Sequence, residues 1–432
     1  MSINRANIKT VCSYFHIAST LFLFCTIPFY FTSYTQYGLI FFFSSFIIDY
    51  VVNQRWKEGF KLDIGRVVSI FLILQFVLLL IFGFFEQDPR YLSTYYEYRT
   101  SLLGFGIVGL LGVSKKFNIR QFAYVSIVPV IIFLCLLISK IPDYFYDLEG
   151  ISDKLQLLRY LRGTYITSHM LINLFLCVGM VLFSKLMAIT SSKKEKVLCV
   201  LMILIYYSLV MLSEGRIGML NANLVLVCIL LRLTIKNLKY MIPLALFIGI
   251  GALMALYIAI TDNSIKHHIS FLNKTNPREY IWRDGVKLIQ ESPFIGLGAS
   301  TNAVRVKECL LSDEELCGID DFLINNINNG NVYAMHTHNQ IMQSWQEYGL
   351  IGLLAILSLF ACILILSRRS LTMVVIFSVV FIQLITDVID GGTTNLGFSM
   401  YVFLLLALFY SQQMGKEKVS SSDRVLCSPG NA

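Results

Sequence analysis

The sequence predicts an all-α polytopic membrane protein of about twelve transmembrane helices, with one long outer loop between the ninth and tenth. Three observations carry this. The 432 residues are 56% hydrophobic and only 14% charged, and the mean hydropathy is +0.67, more apolar side chain than a soluble core of this size buries. Apolar runs close to the roughly 20 residues that cross a bilayer recur along the chain. Lys and Arg fall on alternate sides of those runs with a constant bias.

The expected spans are 11–31, 37–52, 67–85, 102–113 (extended backwards through Tyr96 and Tyr98), 122–139, 167–190, 197–212, 217–233, 241–260, 350–366, 371–389 and 398–414. No small-residue cleavage site follows Phe31 and a second apolar run begins almost at once, so the first span is expected to stay in the mature protein. With the N-terminus inside, 20 Lys and Arg lie in cytoplasmic segments, among them Arg55, Lys57, Lys115, Lys116, Lys193, Lys194, Arg368 and Arg369. The short outer loops hold 6: Arg90, Arg99, Lys154, Arg159, Arg162 and Arg216. The net charge of +8 is therefore mostly a topology signal, and no concentrated basic, aromatic-interleaved patch argues for nucleic acid. The chain divides into 1–260 (helices 1–9), 261–349 (the long outer loop), 350–414 (helices 10–12) and 415–432 (a cytoplasmic tail).

A loop of this length between membrane spans is usually functional or disordered. Within it, "PREYIWRDGVKLIQESPFIGLG" (277–298) spaces Tyr280, Ile281, Val286, Leu288 and Ile289 as a helix that Pro293 and Gly296 end. "DFLINNINNGNVY" (321–333) reads as a flexible turn. In the smaller outer loop, "DKLQLLRYLRG" reads as a short amphipathic helix lying on the interface. Cys309 and Cys317 are the two cysteines of the long loop. In an oxidising periplasm they are a candidate disulfide, and their spacing disfavours a CxxC-type site. The other eight lie in spans or on the cytoplasmic side, as small buried or unremarkable residues.

"AMHTHNQIMQSWQEYGLIG" (334–352) then places His336, His338 and Asn339 at the outer boundary, ahead of a helix with Ile341, Met342, Trp345 and Tyr348 on one side. Gly349 and Gly352 are expected to let helices approach closely. On residue types alone, a capped and anchored interfacial helix explains this stretch as well as a site does. Arg216, in a tight outer turn, and Arg278, opening the helical part of the long loop, shift the balance. Two permanent cations suit a diphosphate, and an imidazole suits proton abstraction from a hydroxyl.

From His338 onward, "HNQIMQSWQEYGLIG" resembles the His-Asn, nine residues, Gly-x-x-Gly motif of the O-antigen ligase and polymerase superfamily. The order of parts is similar too: an Arg in a tight outer turn after the seventh helix, an Arg opening the long loop, then the histidine motif. The His336/His338 doublet, the twelve-helix layout and Asp387 in "TDVID" look most like the lipopolysaccharide O-antigen ligases. Gly215 ahead of Arg216 departs from the commoner Ser/Thr-Arg pairing.

The resemblance implies a bacterial inner-membrane glycosyltransferase with both termini cytoplasmic. It would move O-antigen from undecaprenyl diphosphate to lipid A-core on the periplasmic face, with inversion and with neither metal nor other cofactor. His338 would take the acceptor's proton while Arg216 and Arg278 hold the diphosphate. Asp387, Asn339, His336 and Arg162 are supporting candidates, and Asp387 reads either as a solvated acid or as a partner of His338 or of an arginine. The expected partners are the lipid-linked donor, the lipid A-core acceptor and membrane lipids, with contact to the O-antigen polymerase machinery left open.

The rival readings are an O-antigen polymerase or protein O-oligosaccharyltransferase of the same superfamily, and a lipid-linked glycan transporter. A transporter predicts charges at helix midpoints, and here the ionisable groups cluster at the outer boundary. His336, His338 and Asp387 make a weak metal pattern, and the flanking arginines would repel a cation. His16, His169, His267 and His268 receive no role.

Overall fold

A computed structural model describes residues 5–29, 32–58, 60–146, 169–212, 216–236, 277–312, 328, 336–385 and 396–412. Its helices, in chain order, are α1 (Arg5–Thr26), α2 (Thr32–Val52), α3 (Ile64–Gly83), α4 (Leu92–Leu111), α5 (Ile119–Val125), α6 (Ile127–Tyr146), α7 (His169–Ile189), α8 (Lys193–Leu212), α9 (Arg216–Lys236), α10 (Pro277–Glu291), α11 (Ala299–Ser312), α12 (Gln340–Ser367) and α13 (Leu371–Ile385). The last is α14 (Leu396–Gln412). The protein is all-helical and polytopic, and 6 helical stretches among the described residues are long and apolar enough to cross a membrane. Helices occupy the positions of the expected spans, except that 241–260 lies outside the described residues. The proposed interfacial helix near 151–166 and most of the Asn-rich 321–333 stretch lie outside them as well.

A bilayer reverses the usual logic of burial, because lipid tails are as apolar as leucine and give helices no hydrophobic reason to associate. Apolar stripes therefore face outward. On α12, Leu350, Leu354, Leu357 and Leu364 recur at helical spacing and are all exposed, while Ile356, Leu359, Phe360 and Ile363 turn inward. Close backbone approach and interlocked rings hold the inner faces. Gly106 and Gly109 of α4 lie against Ser69 of α3, and the rings of Phe42, Phe105 and Phe403 meet with centroids 4.9 to 5.8 Å apart.

The centre of the bundle is α7, which packs on α5, α8, α9 and α13. It is buried nearly all round, from Leu171 and Leu174 through Val178 to Leu186. The end rich in Lys and Arg is tied by polar contacts. Asp63 caps α3 by accepting from the Arg66 amide at 2.9 Å, and it also accepts from the Tyr410 hydroxyl at 2.8 Å, joining the start of α3 to the end of α14.

One close approach tests this packing. A β-carbon at Gly179 would sit 2.2 Å from the Tyr206 ring, which cannot swing aside freely because its hydroxyl is hydrogen-bonded to Ser126 at 2.9 Å. Gly179→Ala is expected to destabilise the bundle by about 1 to 3 kcal/mol through overpacking. Thermal unfolding of the purified protein in detergent checks this, and an unchanged transition would show that α7 and α8 are not in the stated contact.

Candidate active site

Residues 336–339 form a short link into α12, and the local chemistry fixes their backbone. Asn339 is extended and caps the helix, its side-chain oxygen accepting from the Ile341 and Met342 amides at 3.0 and 3.1 Å. This supplies partners for the otherwise orphaned donors of the first turn. His336 and Thr337 are buried. Thr337 is held from two directions: its amide and hydroxyl both donate to the Gln343 side-chain oxygen at 3.2 and 3.1 Å, and its carbonyl accepts from the Trp282 indole of α10 at 2.9 Å. Between these fixed neighbours, the half-buried His338 takes a left-handed φ of 49°. That conformation costs a non-glycine residue roughly 1 kcal/mol or more and persists only where the surroundings over-determine it.

Behind the link runs a polar chain. Gln343 donates to Glu347 at 2.7 Å, and Glu347 pairs with Arg99 of α4 at 2.5 Å. Arg99 also donates to the Tyr348 hydroxyl and lies near the Tyr348 and Tyr95 rings, at 5.3 and 5.8 Å from their centroids. The Tyr95 ring meets the His336 ring edge-on at 6.0 Å. Both charges are sealed from water, with Arg99 and Glu347 at 3% and 0% exposure. Arg99 is therefore no outer-loop charge, as the span boundaries had it. It stands inside α4, with its head directed at α12.

The second fixture is a break in α12 at Gly349, whose φ of 59° and ψ of −148° are non-helical. Such a break strands backbone groups that must find other partners. The loop "SPFIGLG" supplies them: the Leu297 and Gly298 amides donate to the carbonyls of Gln346 and Glu347, each at 2.8 Å, and the Leu350 amide donates to Phe294 at 3.2 Å. Trp345 donates to the Pro293 carbonyl at 2.9 Å, and Gln346 to the Gly285 carbonyl at 2.8 Å. The glycines serve this joint more than any helix pairing. A β-carbon at Gly349 would meet the Phe294 carbonyl oxygen at 2.2 Å, and one at Gly352 would meet the Ser344 carbonyl oxygen at 2.1 Å.

The helical part of the long loop forms as its spacing predicts. Tyr280, Ile281, Leu288 and Ile289 are buried, although Val286 faces outward at 46% exposure. The following helix, α11, is pinned by Glu86, which accepts from the Ser300 and Thr301 amides at 3.0 and 2.8 Å.

His336, His338 and Asn339 thus stand at the head of α12, against α10. Arg278 is the second residue of α10, four before Trp282 and so about 6 Å along the axis from the residue that grips Thr337. Arg216 is the first residue of α9, which packs on α7, α8 and α13. Cys309 is half-buried on α11, and burial is the main cause that pushes its thiol pKa up. Cys317, Asp387 and Arg162 lie outside the described residues.

Sequence reasoning missed the Arg99–Glu347 pair. The one available signal was an acid and an arginine, each next to a tyrosine; nothing linked two residues 248 positions apart.

A family model described as O-Antigen ligase matches residues 197–357. Over that segment, a little more than a third of the chain, the protein is similar to the O-antigen ligase family. The matched segment runs from α8 to residue 357 within α12 and contains Arg216, Arg278 and His338. Members of this family are glycosyltransferase-type enzymes, ligases and polymerases. No curated protein matches the chain.

Three substitutions test the fixtures around the histidine link. Glu347→Gln leaves the Arg99 cation buried without its counter-charge and is expected to cost about 3 to 5 kcal/mol, whereas Arg99→Met combined with Glu347→Gln removes both charges and recovers most of the loss. Unfolding temperatures of the three proteins decide it; a double variant no better than the single one would show that the two charges are not coupled. Gly349→Ala adds left-handed strain to a clash with backbone and is expected to cost at least about 2 kcal/mol. A variant as stable as the parent would mean that the break in α12 is not held as described.

Proposed function

We propose that the protein is a lipopolysaccharide O-antigen ligase of the bacterial inner membrane. It transfers O-antigen polysaccharide from undecaprenyl diphosphate to a sugar hydroxyl of lipid A-core on the periplasmic face, with both termini cytoplasmic. The observation that carries this reading is the half-buried His338, held in a left-handed conformation between two tightly fixed neighbours. It lies inside the segment matched by the ligase family. A side chain presented at the cost of backbone strain is a candidate for function in its own right.

In this reading the acceptor hydroxyl gives its proton to the His338 imidazole as its oxygen attacks the anomeric carbon. The bond from that carbon to the diphosphate oxygen breaks, and undecaprenyl diphosphate leaves. Arg216 and Arg278 hold the diphosphate and stabilise its growing charge, and attack opposite the leaving group inverts the anomeric centre. Breaking the lipid diphosphate linkage drives the step without nucleotide or metal. Asn339 acts as the helix cap that sets the histidine's position, and His336 as its buried neighbour. Asp387 orients His338 or pairs with an arginine, and Arg162 receives lipid phosphate. The superfamily's polymerases use the same donor and the same groups, so acceptor choice is what the decisive experiment must read.

In a deletion strain, lipid A-core is expected to remain bare while full-length glycan accumulates on undecaprenyl diphosphate. Single repeat units still attached to core would make the protein a polymerase instead. His338→Ala is expected to lower ligation about 100- to 10,000-fold, and Arg216→Ala and Arg278→Ala to lower it severely in protein that inserts normally. Wild-type ligation by any of the three removes that residue from the mechanism.

A further inference from the structure

At the far end of α12 from the histidine link lies a cavity of about 720 Å³. Its walls come from α1, the α4–α5 connection, α7, the turn before α13, and the end of α14. The 28 residues of α12 put it roughly 40 Å from His338, so it is no part of the site described above. Four cations from three separate segments converge on it: Lys115, Lys116, Lys185 and Arg369. None of the described lining residues is acidic.

Lys and Arg at the cytoplasmic end of a membrane protein are ordinary topology determinants, and as such they need only be scattered over the loops. These are gathered around one concavity, and two are held in place. The Lys116 ammonium donates to the Ser13 hydroxyl at 3.0 Å, which in turn donates to the buried Asp49 at 2.8 Å. The Arg369 guanidinium lies 5.2 Å from the centroid of the Phe409 ring, a geometry that holds its charge over an aromatic face. Ser370, also in the wall, immediately precedes α13, whose first-turn amides add partial positive charge at the same place. Deeper in, Ile17, Phe117 and Leu408 make the wall apolar.

Cations gathered around one concavity repel one another, and an anion in the space relieves that repulsion. The volume lies within the range of small-molecule sites. A mixed wall, cationic at the mouth and apolar within, suits an amphiphile whose head is a phosphate. Basic pockets between helices on this side of a membrane are suited to anionic headgroups, each cation near the surface adding attraction.

We propose that this cavity is a binding site for a phosphate-bearing anion, either the headgroup of an anionic membrane phospholipid or a soluble phosphate compound.

The test titrates the full-length protein in a neutral detergent with three probes: short-chain phosphatidylglycerol, phosphatidylcholine of the same chain length, and inorganic pyrophosphate. Binding is read by calorimetry. Phosphatidylglycerol binding without pyrophosphate binding identifies the lipid as the source; pyrophosphate binding of comparable strength identifies a soluble phosphate. In either case Lys115→Gln combined with Arg369→Gln is expected to weaken binding about tenfold or more, leaving phosphatidylcholine unaffected. Should that protein fail to insert, Lys115→Arg with Arg369→Lys is expected to bind like the parent, and binding to the parent is expected to weaken as salt rises. The proposal is overturned if neither phosphatidylglycerol nor pyrophosphate binds, if the neutralised protein binds as well as the parent, or if binding ignores salt.

Discussion

A membrane-embedded helix cannot break without finding new partners for the backbone groups that the break releases, since the lipid offers none. The geometry at the histidine end of this protein follows from how that demand is met at Gly349. The carbonyls of Gln346 and Glu347 and the amide of Leu350 turn to the 294–298 strip, so the long loop is not an appendage resting on the bundle. It completes the hydrogen bonding of α12. Because α10 leads directly into that strip, and Trp282 of α10 grips Thr337, the break, the loop and the histidine link form one closed circuit of contacts.

The buried Arg99–Glu347 pair gives this circuit its bearing on the rest of the bundle. Taken alone, an ion pair out of water is a poor source of stability, since desolvation offsets most of the attraction. Its value here is in position. Glu347 accepts from Gln343, which accepts from Thr337, so the register of α12 against α4 is transmitted to the backbone beside His338. A slip of one residue would leave two buried charges and an amide unmatched, a far larger penalty than a slip between apolar faces. Polar groups of this kind define one arrangement among several that greasy surfaces would tolerate.

The fold was legible in the sequence where the bilayer dictates a pattern. Helical, membrane-crossing character depends on the environment rather than on long-range contacts, and the helical spacing of Tyr280, Ile281, Leu288 and Ile289 predicted α10 correctly because its inner face packs on a surface. Val286 faces outward because it lies off the stripe that α10 turns to its neighbours. Legibility ended where partners are distant. Arg99 read as an outer-loop charge because its partner lies 248 residues away. Gly349 and Gly352 read as helix-pairing glycines, because the residue type reveals a need for space but not what fills it: a loop carbonyl at one and a carbonyl of α12 itself at the other. Asn339 was legible as a cap by its type and place, and its two amide contacts fulfil that role.

The apolar tips at the histidine end bear on where such a site would sit. Phe84 and Phe85 are 85% and 78% exposed, and Phe294 and Ile295 are each 71% exposed. Loops of a soluble protein seldom display such residues together. These loops are not loose, since the first leads into Glu86, which caps α11, and the second is bound to α12 at Leu350. Rigid apolar tips gain free energy by entering the membrane's edge, as interfacial aromatic residues do. On the proposed function, this sets the depth of the bundle on the side of the histidine link and leaves His338 close to the plane where acyl chains give way to headgroups. A donor on undecaprenyl diphosphate has its reacting bond in that same plane, because its prenyl chain cannot leave the lipid and its glycan cannot enter it. On the proposed function, the anchoring tips and the strained histidine are parts of one constraint: chemistry at a fixed height above a hydrocarbon layer.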